Sequence, residues 1–379
     1  MAVLPINRRT LIRLLGISGL SAQHSWAAQA AKPLQQATQP RWVSASGATK
    51  EQFGISWAGQ SHKLQTAHSD FRGHDVAAHP LRPNHALLFG RRPATQAIEV
   101  DLANGTITHS FECAPNRHLF GHGCFSANGQ QLFTAEGNIE NGTGKIVVRD
   151  SQTYQQLAEF NSGGIGPHQL KLMPNGKTLV VANGGIRTHP SSGRKKLNLT
   201  TMNSCLSYID SQTGQVLNAL HVSESKASIR HLDVHPNGTV AIAMQVQREA
   251  CNHNRAVPLA AIHKPHAATL TLLEQPQTLI TQMQDYIGSV AIHAEQCIAG
   301  FTSPKGNVAA FWSTDNARFL GYHRLHDVCG IAVTPDNKHF LLSNSAGEIR
   351  FITAKTLTEQ KSMRRHYPNT QWDNHLLMI

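Results

Sequence analysis

Four histidines occupy comparable places along the chain: His74 in RGHDV, His122 in FGHGC, His168 in GPHQL and His231 in IRHLD. A neutral imidazole nitrogen is a ligand for zinc, copper, iron or nickel. If the fold gathers these four rings, with Glu136 as a carboxylate, the expected chemistry is a transition-metal site. Iron, copper and zinc are the expected metals. A second group of residues carries donors that suit a small anion or carboxylate: Arg72, Arg91, Arg92, Asn183, Arg187, His189, Arg194, Asn198, Arg230 and Gln245. Arginine forms paired hydrogen bonds to such groups. The competing reading of each histidine is structural, a ring bonded to a neighbouring loop. No G-x-S-x-G elbow, H-E-x-x-H pair or P-loop occurs, so nucleophilic, zinc-protease and phosphate-loop chemistry have no motif here.

Elements that could bring these residues together show as a repeat. Turn marks follow an apolar run at Asn128-Gly129, Asn175-Gly176, Asn237-Gly238 and Asp336-Asn337. A second mark follows a third run: DLANG at 101–105, DSQTY at 150–154 and DSQTG at 210–214. Between them lie β-branched stretches such as TLVVAN, KIVVRD and EIRFIT, which read as strands. Helical periodicity is nearly absent apart from a short segment near 275–284. Units of about 40–50 residues with four strands each are propeller blades. Units are expected near 73–120, 121–166, 167–229, 230–287, 288–329 and 330–366. Residues 40–72 supply only three strands, and WDNHLLMI at the C-terminal end supplies a fourth. The expected fold is therefore all-β, a seven-bladed β-propeller closed by the C-terminal strand joining the first blade. A pair of β-sandwiches is the alternative.

In a propeller the start of each inner strand and the end of each second strand share one rim. The four histidines fall at strand starts. Arg91, Arg92, Glu136, Asn183 and Gln245 fall at strand ends. Two long connections, 184–204 and 246–267, join the same rim and add Arg187, His189, Arg194 and Asn198. Loops beyond hairpin length are often functional. The opposite rim has short Asn-Gly turns and reads as plain.

Of the 379 residues, 15% are charged and 40% apolar, which excludes a disordered chain. The net charge is +11, but no Lys/Arg-rich block follows the leader and no nucleic-acid motif appears. The leader, NRRTLIR followed by LLGISGLSA, resembles a twin-arginine export signal ending near Ala28-Gln29-Ala30. The expected organisation is a signal peptide over 1–30, a linker over 31–39 and the propeller over 40–379. A mature periplasmic protein without a transmembrane segment follows. Six scattered cysteines show no zinc-ligand spacing and read as packed thiols.

Several segments resemble an exported family catalogued as domain-of-unknown-function family 1513. They include RGHDVAAHP at 72–80, FGRRP at 89–93, RHLFGHGCFS at 117–126, GGIGPHQL at 163–170 and VANGGIRTHP at 181–190. GRKKLNLTTM at 193–202, SIRHLDV at 228–234, YIGSV at 286–290, TSPKGN at 302–307 and DVCGIAV at 327–333 continue the likeness. The resemblance implies a propeller. Its encoded neighbours, imelysin-like and di-haem oxidoreductase-like proteins, imply iron or other metal handling at the bacterial envelope, with imelysin-like proteins as partners. Three functions compete: a binding accessory in metal handling, a metal-dependent lactonase or oxidoreductase at the same mouth, and a protein-interaction platform without a ligand.

Overall fold

The computed structural model describes residues 41–59, 63–193 and 195–379. The leader assigned to 1–30, the linker assigned to 31–39 and Arg194 lie outside the described residues. The strands form seven antiparallel sheets, and these are the blades of the seven-bladed propeller. The inner strand of the first blade is Leu377–Met378, paired to Trp42–Ser46 through Val43↔Leu377 and Trp42↔Met378. The inner strands of blades two to seven are Gly73–Ala78, Arg117–Phe125, Pro167–Leu172, Ala227–Val234, Ser289–His293 and Val328–Val333. The third and fifth begin ahead of the expected boundaries at 121 and 230, because each strand runs on through an irregularity described below. The short helix expected near 275–284 is Gln277–Gln282. Among the described residues no helix is long and apolar enough to cross a membrane.

Burial follows position within the blade. Second strands such as Thr178–Asn183 (TLVVAN) are buried on both faces past their first residue. Fourth strands such as Thr106–Glu112 are almost wholly exposed. The cause is face-to-face packing of neighbouring blades, which removes water from both sides of the inner half of each sheet. One such layer joins Phe133, Ala135 and Ile146 of the third blade to Leu179, Val181 and Ile209 of the fourth. Each large side chain so buried contributes about 1.5–3 kcal/mol. The closure has its own cluster, in which Trp42 meets Phe351 and Tyr367, and Trp372 meets Tyr367.

Several histidines do carry the structural duty weighed against ligation. His79 Nε2 reaches Ser151 O of the next blade, His235 Nε2 reaches Ala294 O, and His293 Nε2 reaches Asn337 O. The repeated Asp turns are built alike: Asp150 Oδ1 and Asp210 Oδ1 each accept the backbone N–H of the residues two and three further on. All six cysteines are free. Burial pushes the Cys124 and Cys329 thiols up to about 12, so both are inert packing groups.

Candidate metal centre

The inner strands are not regular. Pairing to the second strand slips between Gly73 and Val76, Leu119 and Gly123, Pro167 and Leu170, Ile229 and His231, and Val328 and Ile331. A bulge breaks the strict in–out alternation of a strand and re-aims side chains. His74, His122 and His168 lie inside their slips, and His231 stands at the edge of its own. Gly121 makes the gathering possible. Its φ is +94°, and a Cβ there would lie 2.7 Å from His74 Cδ2.

The rings meet on the axis. His74, His122, His168 and His231 are joined by His375, which precedes the inner strand of the first blade. Centroids of the contacting pairs are 4.5–6.0 Å apart. Five blades thus supply one imidazole each. The seventh supplies Gly330, where a Cβ would lie 2.9 Å from Leu376 Cβ. That vacancy lets the closing segment reach the axis and deliver His375. Two overlapping groups, His74/His231/His375 and His74/His122/His168, each have ligand nitrogens within 4.8 Å of one another.

Three of the rings are anchored through Nδ1. His122 Nδ1 lies 2.7 Å from Asp75 Oδ2, His74 Nδ1 3.4 Å from Asp373 Oδ1, and His375 Nδ1 3.3 Å from Ser289 Oγ. A carboxylate on Nδ1 fixes the tautomer and leaves the Nε2 lone pair available, as around protein-bound metals. Within this cluster five buried ring nitrogens have no hydrogen-bond partner: His122 Nε2, His168 Nδ1, both nitrogens of His231, and His375 Nε2. His74 Nε2 and His168 Nε2 are 3.3 Å apart. Two nitrogens on one tetrahedral ion, at bonds of 2.0–2.1 Å, lie about 3.3–3.4 Å apart. The donor set therefore fits a borderline transition metal.

Burial keeps four of the rings neutral. Burial, opposed by Asp373 and reinforced by His122 and Arg91, pulls His74 down to about 4. Burial and the neighbouring imidazoles hold His168, His231 and His375 well below their ordinary value. Neutral imidazole is the ligating form. Burial alone would raise the Asp373 carboxyl. His74, Arg91 and Arg72 outweigh it and hold the group below the usual carboxylate range.

A family model described as "Protein of unknown function (DUF1513)" matches residues 68–379. The chain belongs to the DUF1513 family. No curated protein matches the sequence. The fold is similar to that of a Kuenenia stuttgartiensis hydrazine synthase chain, with a TM-score of 0.59 and 11% identity over 83% of this chain and 89% of that one. At that identity the likeness is one of fold.

In this DUF1513 member a cavity of about 370 Å³ opens over the imidazoles. Arg91, Arg92, His189, Arg230 and Gln245 line it together with His74, His168 and His231. Arg72 stands beside it, 2.8 Å from Asp373 Oδ2, and Arg91 Nη1 is 3.0 Å from both Asp373 oxygens. On the far side of the imidazole layer a second cavity, of about 410 Å³, is lined by the later residues of the inner strands with Asp75, Lys171 and Asp233.

Other expected site residues turn elsewhere. Glu136 does not join the imidazoles. It sits two residues inside the end of its strand, with Oε1 2.7 Å from Arg149 Nη2 and 2.9 Å from Thr134 Oγ1. Asn183 is wholly buried, donating to Ser162 O and Ser207 Oγ and accepting from Ser162 Oγ. Asn198 ties its loop together through Arg187 N and Gly185 O. Arg187 reaches Glu140 O. These four stabilise blades and loops rather than facing the cavity.

The residues that sequence reasoning missed are His375, Asp373, His118, Tyr286 and Asn374. The first two are within reach, because WDNHLLMI reads as an inner strand, and four other inner strands each carry a histidine of the cluster. Asp373 also yields a test. For a metal held on these rings, Asp373→Asn would weaken binding 10- to 100-fold, as removal of a carboxylate behind a histidine does, measured by competition with a chromophoric chelator. Unchanged affinity would show that the Asp373–His74 contact orients nothing.

Proposed function

We propose that this DUF1513 propeller is a metal-holding accessory of the bacterial periplasm, binding iron, copper or zinc on His74, His122, His168, His231 and His375. The observation that carries this reading is the five buried imidazole nitrogens without hydrogen-bond partners. A buried polar group left unpaired costs about 1–3 kcal/mol, and a leucine or phenylalanine there would cost nothing of the kind. A ligand that accepts those lone pairs gives the arrangement its purpose. Export supports the periplasmic part: Arg8 and Arg9 open a leader of twin-arginine type. A role in metal uptake beside imelysin-like partners rests on the family setting.

Metal analysis of protein purified from the periplasm and loaded in turn with iron, copper and zinc tests the reading. Wild type should retain metal through dialysis. A His122→Ala/His168→Ala/His231→Ala variant should lose it while keeping its β-sheet circular dichroism, since three of the orphaned positions are removed. If neither protein holds any of the three metals, the reading is wrong.

A further inference from the structure

Arg230 is the residue that the metal reading leaves unexplained. Only 8% of it is exposed, and its Nε is buried without a hydrogen-bond partner. Among the described residues no carboxylate forms an ion pair with it. The acids nearest the mouth are engaged: Asp373 takes Arg72, Arg91 and His74, and Asp75 takes His122. A desolvated guanidinium with no counter-charge is among the costliest arrangements a fold can keep. Here it faces further positive charge, since Arg91 and Arg92 line the same cavity.

The bulge between Ile229 and His231 explains the placement. It turns consecutive residues, Arg230 and His231, toward one cavity. A group bound at Arg230 is therefore a neighbour of any ion on His231. The rest of the wall is mixed. Pro93, Phe120 and the Tyr286 ring are apolar surfaces, while Gln245 and Asn374 offer amides. At about 370 Å³ the space falls within the range of small-molecule sites and exceeds what a bare inorganic anion fills.

The geometry points to a small organic carboxylate as the occupant of this cavity, held by the Arg230 guanidinium and reaching the ion on the imidazoles. The carboxylate matches the planar fork of arginine, and the apolar wall takes the organic body. The last clause of this assignment, contact with the ion, rests on the metal reading; the carboxylate site itself does not.

Titration calorimetry and thermal unfolding with succinate, citrate and inorganic phosphate, on chelator-treated protein, test it. Succinate or citrate should bind wild type and raise its unfolding midpoint. Arg230→Met should bind them tenfold or more weakly, the loss expected for one charge-assisted contact. Arg230→Lys should fall between, keeping the charge but losing the fork. Arg230→Met without ligand should unfold at a higher temperature than wild type, because an unpaired charge has been removed; a merely structural arginine would move it the other way. The assignment is overturned if neither carboxylate binds, if phosphate alone binds, or if Arg230→Met binds as wild type does. Metal content is measured in parallel. Arg230-dependent carboxylate binding by a protein that holds no metal would refute the metal reading and leave this site standing.

Discussion

Treated with a chelator and acidified from pH 7, the protein should unfold cooperatively, losing stability as the pH falls from about 6.5. His74 is held at about 4 against an ordinary 6.5, and His168, His231 and His375 lie well below it too. The unfolded chain takes up protons on these groups as the pH falls through about 6.5, whereas the folded chain refuses them. Throughout that window the unfolded state binds more protons, so stability falls with falling pH, by up to about 1.4 kcal/mol per pH unit for each ring. Four rings acting together steepen that loss, against a typical total of about 5–15 kcal/mol. Arg91 and Arg230, facing the rings, deepen the refusal. Asp75 and Asp373, held low, add their own loss only below about pH 4. Circular dichroism during an acid titration checks this. Protein that stays folded to pH 4 without metal would show that the rings accept protons in place. A His168→Leu/His231→Leu variant should move the transition to lower pH.

Glu136→Ala should cost about 3–5 kcal/mol in denaturant unfolding, the penalty for breaking a buried ion pair by removing one partner. Arg149 is 3% exposed and Glu136 is fully buried, so the stranded guanidinium cannot turn to water. The Phe111 ring, whose centroid is 4.5 Å from the Arg149 guanidinium, is no substitute for a carboxylate. Metal content in the same variant should equal that of wild type. Metal loss with stability intact would return Glu136 to the ligand set and remove Arg149 as its reason for being there.

The repeat is legible in the sequence, and the direction of individual side chains is not. Turn residues revealed the ring, because the Asn-Gly marks at 128, 175 and 237 and the Asp turns at 150 and 210 have fixed backbone chemistry and recur at matching places in successive blades. Convergence of His74, His122, His168 and His231 followed from placing each at an inner-strand start. Glu136 and Asn183 were misplaced for a local reason. Glu136 lies inside a strand that runs to Asn138, with its side chain directed at Arg149, whereas Asn183 does end its strand but faces the third blade. Strand ends are the least visible boundary in a sequence, and alternation turns a small error into the wrong face. The bulges were equally invisible. They leave no composition mark beyond a glycine, yet they decide which residue of each pair, such as His74 and Asp75, faces which cavity. His375 was missed although WDNHLLMI reads as an inner strand, because it precedes the strand Leu377–Met378 rather than lying in it.

The imidazole layer divides the axis into chambers of opposite character. On one side stand Arg91, Arg92 and Arg230; on the other, two carboxylates, Asp75 and Asp233, outnumber Lys171. Fields of this kind sort diffusing ions by sign before any contact is made. A bare dication is drawn in through the carboxylate side and repelled at the guanidinium side, while an anion meets the reverse. Under the proposed function the two would enter from opposite sides and meet only at the rings.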